Sequence, residues 1–119
     1  MEKFTNFEYL DDITGGDSEC KIRLMEVFLS QTENITEKFN NALQKNDVAE
    51  LGKIGHLAKS TLRVMGITEM SDKMYELEQL AKANKSQEEC KPSVNYYLEK
   101  IMMVNQEIKQ EIIVLKSNH

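Results

Sequence analysis

Hydrophobic residues recur at spacings of three and four over four stretches of the chain, the pattern of amphipathic helices. The first stripe is Ile22, Met25, Leu29, Thr32, Ile35, Phe39, Ala42 and Leu43. Ser30, Thr32, Asn34 and Thr36 cluster along it, where side chains that compete for backbone bonds would bend a long helix. The second is Leu51, Ile54, Leu57, Ala58, Leu62 and Met65; the third is Ile67, Met70, Met74, Leu77 and Ala81. The fourth, Val94, Tyr97, Leu98, Ile101, Val104, Ile108, Ile112 and Leu115, runs nearly to the end. Ahead of them, Phe4 to Ile13 mixes aromatic and aliphatic residues with acids and predicts a short helix or turn packing through Phe7 and Leu10.

The punctuation between stripes agrees with this division. Thr14-Gly15-Gly16-Asp17-Ser18 is a break, with Asp17 or Ser18 as the cap of the helix that follows. Asp47 is placed to cap the second helix, and Gly66 to end it in a left-handed C-cap. Thr68 with Ser71 offers the next N-cap. Residues 83–92, polar and holding the single proline, predict the longest loop, with Pro92 in the first turn of the last helix. The expected fold is all-α: an up-and-down antiparallel four-helix bundle with a short extra N-terminal helix, forming one domain over residues 1–119.

Composition narrows the function classes. The chain has 119 residues, net charge −5 and pI near 5.1, which argues against nucleic-acid binding, since a phosphate-binding surface needs a basic excess. No apolar run reaches the length of a membrane span, and the polar, acidic N-terminus does not resemble a signal peptide. Cys20 and Cys90 match no metal or redox spacing and read as two reduced thiols in a cytoplasmic protein. The seven methionines fall on or beside the stripes and read as core filler. The acids and lysines of 69–91 read as a solvated face, and His119 as a terminal residue without a partner. A monomer is expected, with Met103 and Ile113 as extra apolar positions that leave dimerisation open.

The second stripe holds the candidate chemistry. At about 100° per residue, His56 lies near the middle of the arc opposite the apolar one. Gly52 is one turn before it, Lys59 and Ser60 one turn after and Arg63 two turns after, with the small residue Gly55 beside it. No acidic residue falls between Lys53 and Ile67, in a chain that is acidic overall. A histidine on such a face suits an encounter with a phosphoryl group. Imidazole, with an ordinary pKa of about 6.5, is largely neutral at cellular pH and keeps a lone pair for attack on phosphorus. Lys59 can offset the charge of phosphoryl oxygens. As a lone surface histidine His56 would carry no function; its companions are what favour one.

The segments I-T-G-G-D at 13–17, F-L at 28–29, N-D-V-A-E-L at 46–51, H-L-A-K at 56–59, Gly66 and Y-E-L-E at 75–78 together resemble the histidine-containing phosphotransfer (HPt) domains of bacterial multistep phosphorelays. The resemblance runs from about Ile13 to Ala83, the last helix matching only in pattern. It implies a four-helix bundle carrying an exposed phospho-accepting histidine, His56, with Lys59 supporting the phosphoryl charge. It implies docking of a partner around Gly52, Lys53, Gly55, Ser60 and Arg63, and a structural turn at Gly66. Three positions depart from the family pattern: Ala58 stands where leucine is usual, Ser60 where glycine is, and, as a minor change on the flank of the core, Thr61 where serine or alanine is. A hydroxymethyl group is small and can donate to a phosphoryl oxygen, so tolerance is expected.

The implied partners are a response-regulator receiver domain, a hybrid sensor kinase, or both. The receiver would supply the aspartate and the magnesium ion, leaving this chain without a cofactor. Nothing in the sequence offers a nucleotide-binding loop or an aspartate cluster for a metal, so the chain reads as a phosphocarrier and not a self-sufficient kinase. A metal-binding bundle would need Glu-x-x-His pairs, and position 53 is lysine. The alternative is a docking module that regulates a receiver or kinase without carrying phosphate. Such domains occur alone and as C-terminal modules of hybrid kinases.

Overall fold

The computed structural model describes residues 3–118, so His119 lies outside the described residues. Five helices follow in order: α1 (Glu8–Thr14), α2 (Ser18–Gln44), α3 (Val48–Val64), α4 (Thr68–Lys82) and α5 (Gln87–Ser117). Connections of three or four residues make α2 to α5 antiparallel neighbours, and α2 against α5 closes the ring. The short α1 packs on α2. This is the expected bundle. Its long axis of 49 Å matches α5, whose 31 residues span about 46 Å at 1.5 Å per residue. Among the described residues no helix is long and apolar enough to cross a membrane.

The caps follow local chemistry. The Asp17 carboxylate accepts from Cys20 N at 3.0 Å, and that of Asp47 from Glu50 N at 3.1 Å, each taking up a backbone donor that the helix leaves unpaired. Truncating Asp47 to alanine should cost about 1 kcal/mol of unfolding free energy in a urea titration; an unchanged midpoint would mean that the α3 terminus frays without consequence. At the other end of α3, Gly66 N donates to Arg63 O and Ile67 N to Leu62 O, a Schellman pair closed by Gly66 at φ 67°. The first residues run back over this turn. Asn6 N donates to Met65 O at 3.0 Å, and Glu107 of α5 accepts from Phe4 N, Thr5 N and the Thr5 hydroxyl.

Two expectations about boundaries are corrected. Helix α5 starts at Gln87, so Pro92 is its sixth residue and the loop is only 83–86. Ser86 and Glu89 form a reciprocal cap, Glu89 N to Ser86 Oγ and Ser86 Oγ to the Glu89 carboxylate, both at 3.3 Å, and this S-x-x-E signal outweighs the proline. Pro92 removes one bond to the Glu88 carbonyl, but both residues are exposed, so water can serve that group. Helix α4 is entered through Ile67 with no side-chain cap; Ser71 is instead buried inside it and donates to Lys59 O at 3.1 Å. Helix α2 runs unbroken past Thr32, whose hydroxyl bonds Leu29 O and Asn105, while its carbonyl accepts from the buried Tyr97 hydroxyl.

The core is built from the four stripes, with Phe28 buried on α2 and Leu29 only half-buried. Phe39 and Tyr97 meet edge to face at 5.2 Å between centroids. Met25, Met65, Met70 and Met74 are core residues, but Met102 and Met103 are exposed, against the reading of all methionines as filler. Cys20 and Cys90 are free thiols, and burial pushes the Cys90 thiol up.

Candidate functional site

His56 sits in the third turn of α3 on the solvent side, its side chain 64% exposed. Lys53, Ser60 and Arg63 share that exposed face. Among the described residues neither Lys53 nor Arg63 has a carboxylate within 4 Å. Leu57, assigned above to the buried arc, is also exposed, because it lies about 100° from His56 at the edge of the apolar sector. Ser60 and Arg63 border a shallow pocket with Tyr9 of α1 and Val64. Ala58 is fully buried, so its departure from the family's leucine bears on the core.

Gly52 and Gly55 are not on the exposed face. Both are buried against α4, where a Cβ on Gly52 would come within 2.5 Å of the Ala81 methyl and one on Gly55 within 3.1 Å of Met74 O. Their missing side chains let α3 and α4 approach closely. They set the spacing of the site and present no docking side chain of their own.

That close approach delivers a residue that sequence reasoning missed. Glu78 of α4 is 8% exposed, and its Oε2 lies 2.7 Å from His56 Nδ1. Its Oε1 accepts from Lys59 Nζ at 3.0 Å, and Lys82 Nζ stands 3.5 Å from Oε2. The expected acid-free basic face is therefore corrected: the histidine and its lysine share one buried carboxylate. Two features pointed to it. Met70, Met74 and Glu78 continue a single i, i+4, i+8 row, so the acid falls within the core stripe of α4. The small residues 52 and 55 also mark where α4 comes close, with Ala81 over Gly52 and Leu77 and the Met74 carbonyl over Gly55.

The electrostatics fix the chemistry of the ring. Hydrogen bonding and charge from Lys59, with the His56 hydrogen bond, hold the Glu78 carboxyl at about 2 against the 4.5 of a free glutamate, in spite of its burial. It is ionised at any physiological pH and can only accept. The 2.7 Å contact therefore requires the proton on Nδ1, which leaves the Nε2 lone pair of a neutral ring free. Lys59 is half-buried and lies 5.2 Å from the centroid of the exposed Tyr75 ring. One of its three N–H groups serves Glu78, leaving two for another acceptor.

No significant match was found among curated proteins or among solved structures. The sequence model of the Hpt domain matches residues 23–117. That span takes in most of α2, all of α3 to α5, the His56 face and the Gly66 turn. It includes the last helix, which the short motifs did not reach, and leaves out the I-T-G-G-D segment. With the match covering most of its length, the chain belongs to the Hpt domain family.

Proposed function

We propose that this domain carries a phosphoryl group on His56 Nε2 between the aspartates of response-regulator receiver domains in a phosphorelay. Hpt domains serve histidine phosphotransfer in phosphorelays and interact there with receiver domains and kinases; as a class they are phosphocarriers rather than enzymes. The observation that carries the assignment to His56, on an exposed helix face, is its 2.7 Å bond to an ionised Glu78, which keeps the proton of the neutral ring on Nδ1 and leaves Nε2 for attack. In the transfer, the Nε2 lone pair attacks the phosphorus of the aspartyl phosphate. The N–P bond forms as the P–O bond to the aspartate breaks, and that electron pair returns to the carboxylate. The Nδ1 proton stays in its bond to Glu78, which offsets the positive charge arriving on the ring. Lys59 can reach the phosphoryl oxygens with the donors Glu78 leaves unused. The exposed Lys53, Ser60 and Arg63 are the docking residues, and the magnesium ion belongs to the receiver.

The test is phosphotransfer to the wild-type chain and to His56→Gln from a phosphorylated receiver with magnesium. Acid-labile, base-stable label on the wild type and none on the variant is the expected result. Equal labelling of both would place the acceptor elsewhere. A folded chain that binds a receiver without ever being labelled would favour the docking-module reading.

A further inference from the structure

We infer that the groove running N-terminally from His56 between α3 and α4 seats the receiver, taking an apolar side chain on its floor and carboxylates on its rims. The inference rests on the carrier reading and adds where, and by what chemistry, the partner is held. The groove has a volume of about 490 Å³, with Gly52, Ala81 and Ala49 along it and Lys53, Lys82, His56 and Glu78 around them. A glycine and two methyl groups leave a depression that a branched or aromatic side chain can fill, and burial of such a side chain supplies affinity. Its end is the nucleophile, so whatever sits over Gly52 lies one helical turn from His56.

Charge selects the occupant. Lys53 and Lys82 line the groove with one carboxylate, Glu78, whose two oxygens are already engaged by His56 and Lys59. Lys82 is mostly exposed and holds Glu78 only at 3.5 Å. This is a cationic rim on a chain of net charge −5, so an acidic body is repelled by the whole and drawn to this place. A receiver's transfer face is acidic by necessity, since it holds a phosphorylatable aspartate and the carboxylates that bind magnesium.

The experiment compares two donors to His56: phosphoramidate, which needs no docking, and each receiver domain encoded in the same genome, phosphorylated and tested in turn. The variants are Ala49→Trp, which fills the groove from an exposed position on the first turn of α3, the double reversal Lys53→Glu with Lys82→Glu, and Arg63→Glu on the opposite flank. Circular dichroism confirms that each is helical. Expected is a tenfold or greater rise in the receiver concentration for half-maximal transfer with Ala49→Trp and with the double reversal, relative to phosphoramidate labelling. The double reversal should also flatten the salt dependence, and Arg63→Glu should do less. Equal losses with both donors would mean that these residues act on His56 itself and would overturn the docking proposal. Unchanged receiver transfer in the filled groove would overturn it too, as would labelling by phosphoramidate but by no receiver. Failure of the wild-type chain to be labelled by either donor would overturn the carrier reading beneath it.

Discussion

Glu78→Gln is expected to slow phosphotransfer roughly tenfold to a hundredfold, the range for losing a group that orients a functional histidine. The substitution keeps the size of the side chain and removes its charge. Lys59, half-buried beneath Tyr75, loses its anion, and the amide can turn its NH₂ toward Nδ1 and favour the opposite tautomer. Imidazole nitrogen chemical shifts read this directly: Nδ1 protonated and Nε2 bare in the wild type, a mixture in the variant. A transfer defect with an unmoved tautomer would show that Glu78 acts through Lys59 alone.

The same residue gives a pH dependence of known sign. Its carboxyl titrates at about 2 in the fold and near 4.5 when free. The stabilisation is therefore complete above about pH 4.5 and is lost as pH falls toward 2. Wild-type stability should fall across that window by more than that of Glu78→Gln. Parallel acid limbs for the two proteins would mean that the carboxylate is not held by its neighbours as described.

Gly66→Ala is expected to lower stability by about 2–4 kcal/mol, a drop in Tm of roughly 10 °C. The residue sits at φ 67°, which an L side chain adopts at a cost of about 1 kcal/mol. The larger part is steric, because a Cβ there would run into the backbone carbonyl of Asn6, which the Asn6–Met65 and Glu107 hydrogen bonds hold in place. Gly16→Ala separates the two contributions. Its φ is 78° with nothing within 4 Å of a Cβ, so it should cost only the backbone term, about 1 kcal/mol. Equal losses in the two variants would show that the N-terminal segment yields and adds no clash.

How much of this was legible in the sequence depends on the range of the interaction. Stripes at helical spacing, caps such as Asp17 and Asp47 and the C-terminal Gly66 are decided within a few residues, and the bundle with its exposed His56 follows from them. The start of α5 was also written locally, in Ser86 and Glu89, but a proline six residues into a helix is read as a boundary unless the capping pair is weighed first. The environment of His56 was not local. Helical projection of α3 alone shows a cationic, acid-free face, and only the packing of α4 across Gly52 and Gly55 reveals that the face contains Glu78. The same packing turns two glycines from surface into spacers, and Lys59 from a free cation into one arm of a shared carboxylate. Sequence by itself determined that a histidine would stand on a helix of this bundle. The tertiary structure decided which of its nitrogens is free, because that rests on an acid 22 residues away, brought close by two missing side chains.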